Sequence, residues 1–234
     1  MFKGLNSYFT ALEKALWYSS MALIVAAYFV FDGENVLTLL ASLIGVTSLI
    51  LCAKGNPLGQ LLMVVFSIIY GIISYSCAYY GEMVTYLGMT MPMALFALIT
   101  WLKNPYNGNR AEVKVGSLCR GEPIFIALST SAITALFYFI LRSFGTASIA
   151  LSTASVATSF LAVYLTFRRS AYYALAYAAN DMVLVALWVM ASVRDIRYVS
   201  VVVCFSAFFV NDIYGYISWQ RMKRRQHMND ARRA

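Results

Sequence analysis

The sequence predicts an all-α membrane protein of about eight transmembrane helices. Two parallel three-helix bundles are joined by a linker helix (3+1+3), with a further helix at the N-terminus. Three observations predict this. Of 234 residues, 61% are hydrophobic and 12% charged, with mean hydropathy +0.70, whereas a soluble domain of this length needs charged helix faces that are missing here. Apolar stretches near the bilayer-spanning length of about 20 residues recur along the whole chain. Lys and Arg alternate with them: with the N-terminus inside, fifteen fall on inner segments and only Arg142, Arg194 and Arg197 on outer ones. The formal charge of +8 is therefore mostly topology, with some contact to anionic lipid, and does not indicate a nucleic-acid partner.

Residues 1–35 comprise an amphipathic start, with Phe2, Leu5, Phe9, Leu12 and Leu16 on one side, and a short first span at 17–31. The first bundle, 36–102, holds spans at 36–53, 57–79 and 83–102. Residues 103–146 form a cytoplasmic loop and the linker helix at 123–142. The second bundle, 147–219, holds spans at 147–167, 171–193 and 198–219, followed by a basic cytoplasmic tail at 220–234. Turns are marked by DGEN, by GNP at 55–57, by GE at 81–82 and by RSFG at 142–145. Asn-Pro and Asn-Gly make 103–123 a surface loop joining the halves. Spans two to four and six to eight share one orientation, and Trp101 and Trp219 end corresponding spans. Those tryptophans are expected in the interfacial aromatic belt. Pro92 removes a backbone hydrogen bond in span four and predicts a kink, either static or a hinge. Met89, Met91 and Met93 around it read as adaptable packing.

The seventh span carries the strongest functional signal. On a helix, Tyr173, Tyr177, Asn180, Asp181, Leu184 and Trp188 share one face. A carboxyl near the membrane midplane costs about 2.5–3.5 kcal/mol even on insertion scales, so Asp181 should face a cavity or partners. Of ten acidic residues, eight are expected in loops or tails, with only Asp181 and Asp212 inside spans, each after an asparagine. In span three, Ser67, Tyr70, Gly71 and Ser74 share a face, read either as packing or as a site lining. Gln60 lies near the inner mouth as a gate or turn contact. Ser148, Ser152, Ser155 and Ser159 on span six read as close helix packing.

Catalytic, metal and cofactor chemistry is not indicated. Cys52, Cys77, Cys119 and Cys204 have no paired or CxxC spacing. The lone histidine, His227, lies in the tail, which leaves no hydrolytic constellation and argues against an enzyme. No cleavable signal peptide opens the chain. Parallel repeats about the membrane normal are the plan of the small sugar-transporter fold known as SWEET, with substrate between the repeats near midplane.

The runs GEMVTYLGMTMPMALFALITWLKNPYNG, NDIYGYISW and NPLGQLL resemble the PnuC vitamin transporters, bacterial nicotinamide riboside carriers with relatives for thiamine and riboflavin. The likeness covers roughly 36–220. It implies a multi-pass protein of a bacterial-type inner membrane with both termini cytoplasmic, and a homo-oligomer, by that likeness a trimer. It also implies uptake of a small-molecule vitamin by facilitated diffusion, made directional by phosphorylation inside the cell. Carried over, Trp188 stacks on the nicotinamide ring, with Asn180, Asp181 and Asn211 as polar partners. Tyr177, Tyr70, Ser67, Ser74, Tyr214 of the NDIYGY run and Gln60 complete the candidate substrate contacts. One departure bears on substrate identity: Leu184 and Val185 stand where a second large aromatic is expected, one turn before the tryptophan. The alternatives are thiamine or riboflavin on the same fold, a proton- or sodium-coupled carrier with Asp181 as relay, and a multi-span sensor.

Overall fold

A computed structural model describes residues 8–76, 79–146 and 148–233. The first seven residues of the amphipathic start, including Phe2, Lys3 and Leu5, and also Cys77, lie outside the described residues. Among the described residues, eight helices are long and apolar enough to cross a membrane: Ala11–Asp32, Val36–Ala53, Pro57–Ser76, Tyr80–Lys103, Glu122–Ser143, Ile149–Phe167, Tyr173–Ser192 and Ile196–Ala231. Each falls on a predicted span, here called one to eight. The first begins earlier than predicted because Thr10 and Glu13 form a capping box, each side chain accepting from the other's backbone N–H.

Two spans contain a π-helical turn, at Tyr28–Asp32 and Tyr86–Thr90. The second immediately precedes Pro92, which sits in the first turn of the helix Met91–Lys103. The expected irregularity is thus a change of helical register: the missing proline N–H falls at a helix start, where it leaves least unsatisfied.

The loop after span four is more ordered than its turn-rich sequence suggested. It pairs β1 (Pro105–Tyr106) with β2 (Asn109–Val113) across an Asn107–Gly108 turn, both residues at positive φ. The predicted basic tail is also different, because span eight runs on as one helix to Ala231. Gln226 on that extension explains both. Its side-chain amide donates to Glu112 and to the Val113 carbonyl, and its oxygen accepts from the Val115 N–H.

Third and first spans of opposite bundles pack together, span four on six and span eight on two. The loop ties the matching turns: Val113 N–H donates to the Gly55 carbonyl at 2.9 Å, and Gly116 N–H to the Arg169 carbonyl at 2.9 Å. Gly55 and Arg169 both have positive φ, so the two turns share one backbone shape. Gly116 is needed where it stands, since an added Cβ would lie 2.3 Å from the Arg168 carbonyl oxygen. Trp101 and Trp219 are fully buried between the bundles, not in an interfacial belt.

The acidic residues also depart from expectation. Glu13 is buried in span one against Lys54 at 3.2 Å, and Glu82 is buried at the start of span four. Glu122 opens span five and pairs with Arg168. Counting these three as loop residues failed because each lies within a turn of a helix start, where sequence boundaries are loosest.

Candidate functional site

The predicted face of span seven is buried: Tyr173, Asn180, Asp181, Leu184 and Trp188 are at most 4% exposed, and Tyr177 is half-buried. Two cavities lie along it. The larger, about 470 Å³, opens at the end of the bundle opposite the hairpin and reaches down to Tyr70 and Trp188. The smaller, about 20 Å³, is bordered by Tyr177, Asn180, Asp181, Ser159, Thr90 and Asp212. That is space for water, far below the volume of a vitamin.

An aromatic layer separates them. Tyr70 packs on Tyr86 at 4.5 Å, on Phe66 at 5.4 Å and on Phe205 at 5.6 Å. Phe66 and Phe205 also contact Phe208 at 5.7 and 5.6 Å. Close packing here depends on Gly45, where a Cβ would stand 2.3 Å from the Phe208 ring.

Above the layer, Trp188 is flanked by Tyr79 at 4.9 Å and Tyr198 at 5.3 Å between ring centroids. The aromatic that Leu184 and Val185 do not supply is thus provided by the span three–four connection and the entry to span eight. The Tyr70 hydroxyl and the Trp188 indole N–H lie near each other, yet neither has a hydrogen-bond partner of good geometry. Buried polar groups are normally paired, so both are available to a ligand.

Below the layer, Asn180 Oδ1 accepts from Thr158 Oγ1 at 2.8 Å and from Ser159 Oγ at 3.0 Å. Ser159 therefore packs span six on seven and borders the small cavity as well. Asp181 and Asp212 adjoin across this cavity, and no Lys or Arg is found among the described residues that line it.

Other candidates are elsewhere. Asn211 turns to the N-terminal helix, donating to Ser20 at 2.9 Å, and Tyr214 donates to Glu13 at 2.9 Å. Gln60 donates to Cys52 Sγ at 3.1 Å, and Ser67 donates to the Met63 carbonyl of its own helix. Ser74 is fully buried with an unpartnered hydroxyl and borders neither cavity. The structure thus unites Tyr70 with Trp188, and Tyr177 with Asn180 and Asp181, but keeps Asn211, Tyr214, Gln60, Ser67 and Ser74 apart from them. Sequence reasoning missed Tyr79, Tyr86, Tyr198, Phe205 and Thr158. It also missed Glu82, a buried carboxyl with no hydrogen-bond partner of good geometry, although Ser155 lies beside it. A period-four link from Glu82 to Tyr86 was the only available signal.

Comparison with known proteins agrees with this architecture. A solved structure titled "Crystal structure of the Vitamin B3 transporter PnuC" superposes with a TM-score of 0.81 at 21% identity, covering 93% of this chain and 94% of that one. The nicotinamide riboside transporter PnuC of Neisseria mucosa is 24% identical over 217 residues, 91% of this chain and 82% of the relative. Its counterpart from Haemophilus influenzae is 22% identical over 194 residues, 82% of each. A family profile described as "Nicotinamide mononucleotide transporter" matches residues 35–221, every span but the first. With that match covering most of its length, the chain belongs to the nicotinamide mononucleotide transporter family.

Proposed function

We propose that this chain carries nicotinamide riboside across a bacterial-type inner membrane by facilitated diffusion. Trp188 and Tyr70 receive the ring, and Asn180 and Asp181 receive the polar end as the aromatic layer opens. The observation that carries this reading is the set of acidic side chains around the two cavities. Asp181 and Asp212 border the inner one without a Lys or Arg, and carboxylates outnumber the single guanidinium around the outer one. Nicotinamide riboside bears a cationic pyridinium, which carboxylates and aromatic faces attract. The mononucleotide adds a phosphate, which the ionised Asp195 carboxylate at the outer cavity repels. The riboside named for both relatives therefore fits better than the mononucleotide of the family description.

The distribution of Lys and Arg supports cytoplasmic termini, and with that orientation the 470 Å³ cavity faces the outer side. Phosphorylation of the vitamin inside the cell would make uptake directional, because the charged product is no longer a ligand. Exposed apolar side chains on span five, such as Ile124, Phe125, Leu128, Leu136 and Phe139, suit contact with lipid or with further copies in a trimer.

The test is calorimetric titration of the purified protein in detergent with nicotinamide riboside, its mononucleotide, thiamine and riboflavin. Binding of the riboside at least about ten-fold tighter than the mononucleotide supports the reading. Preference for the mononucleotide, or for thiamine or riboflavin, overturns the substrate assignment.

A further inference from the structure

The rim of the outer cavity is chemically unlike its floor. Asp32 at the end of span one, Glu34 in the next turn and Asp195 before span eight line it, with Arg197 as the one cation among the described residues of the lining. Arg197 bridges the two connections. Its guanidinium meets Asp195 at 2.7 Å and Glu34 at 3.6 Å. Arg197 holds the Asp195 carboxyl below the usual carboxylate range, so it is ionised at neutral pH. Asp32 accepts the Asn35 N–H at 3.2 Å, which fixes its carboxylate at the mouth. The Glu34 side chain is 81% exposed. The rim thus presents three carboxylates against one guanidinium, above a floor with two buried donors, Trp188 N–H and Tyr70 O–H, neither of which makes a hydrogen bond of good geometry.

We infer that Asp32, Glu34 and Asp195 make this cavity a charge-selective entrance, which draws a cationic aromatic solute to the Trp188–Tyr70 floor and repels anions. Clefts lined by one sign of charge between low-dielectric walls focus the field and raise the local concentration of counter-ions, an effect that salt screens over about 10 Å at 0.1 M. Arg197 serves two purposes in this arrangement: it clasps the two connections together and limits how strongly the mouth holds its cation. Passage requires that a solute be drawn in and then released. For the solute's identity the inference rests on the reading above; for the sign of the field it does not.

The test separates the two. In full-length protein with Cys77 and Cys119 replaced by serine, Ser76→Cys places a thiol on the exposed lining of the cavity. Its labelling by a cationic and an anionic methanethiosulfonate is compared at low and high salt, after correction for their rates with a free thiol. The cationic reagent should react about ten-fold faster at low salt, a preference lost at high salt. The preference should fall about three-fold in Glu34→Gln, further when Asp32→Asn is added, and rise in Arg197→Gln. Glu34 is so exposed that its substitution does not put folding at risk. In liposomes, initial uptake of nicotinamide riboside should follow the same order, while its neutral dihydro form should not respond to salt. Equal labelling by both reagents, or a preference unchanged by Glu34→Gln and Asp32→Asn, overturns the entrance even if the riboside is carried. A persistent preference without riboside uptake upholds the entrance and removes the substrate assignment instead.

Discussion

The rings of Trp101 and Trp219 meet at 5.3 Å between the two bundles, and each indole N–H donates to a main-chain carbonyl of the opposite bundle. Trp101 binds the Thr166 carbonyl at 3.0 Å and Trp219 the Cys52 carbonyl at 2.8 Å. Thr166 and Cys52 stand at matching places, near the ends of the first spans of their bundles. The exchange is therefore reciprocal, as a two-fold relation between parallel repeats requires. Tyr173 packs against both indoles, at 6.2 and 4.8 Å. This contact closes the end of the molecule opposite the large cavity.

Either Trp101→Phe or Trp219→Phe should lower thermal stability in detergent, since each removes a buried hydrogen bond worth about 0.5–1.5 kcal/mol, while the two carbonyls keep the Arg169 and Gly55 N–H groups as partners. Because the rings touch, the double variant should lose less than the sum of the singles. Additive losses in thermal unfolding would show that the two contacts act separately.

Gly45→Ala should slow exchange by changing the aromatic layer. The new Cβ would stand 2.3 Å from Phe208 Cζ and 3.1 Å from Phe66 Cδ2, and both rings are buried in the layer. Overpacking of this kind costs about 1–3 kcal/mol. Exchange rate and thermal stability measured on the same preparation check it; wild-type values for both would show that the layer yields freely.

Asp181→Asn should weaken riboside binding at least about ten-fold, or about 1.4 kcal/mol, while leaving the fold intact. The amide keeps the shape and removes the group's capacity to carry a negative charge opposite the cation. The neutral dihydro form should lose far less, and titration with both ligands separates a charge effect from a packing effect. Equal losses for the two ligands would point to packing.

Gln226→Ala should free the hairpin. It leaves the Val113 carbonyl and the Val115 N–H without their side-chain partner, at a cost of about 1–3 kcal/mol. Limited proteolysis between β2 and span five should quicken several-fold, with the membrane core unaffected. An unchanged cleavage rate would mean that the main-chain contacts to Gly55 and Arg169 suffice.

The spans were legible because hydropathy and length carry them, and the 3+1+3 plan followed from their number and orientation. Burial of Trp101 and Trp219 was not legible: a tryptophan at a span end looks the same whether it faces headgroups or a partner bundle. The two Asn-Asp pairs show a related limit. Successive residues on a helix point about 100° apart, so each pair has two directions to divide between. Asn180 and Asp181 both border the inner cavity. In span eight only Asp212 does, because the N-terminal helix packs beside that span and engages Asn211 through Ser20. Nothing in NDIYGY announces that neighbour. The flanking aromatics of Trp188, Tyr79 and Tyr198, come from connections whose packing no periodicity reveals.

The most direct measurement is counterflow of labelled nicotinamide riboside into liposomes without an ion gradient, comparing the wild-type chain with Trp188→Ala. The account predicts exchange by the wild type and its loss in the variant, with the variant still folded by its unfolding curve. Exchange that survives in Trp188→Ala would contradict the site. Exchange seen only after a proton or sodium gradient is imposed would contradict facilitated diffusion and make Asp181 and Asp212 the coupling pair.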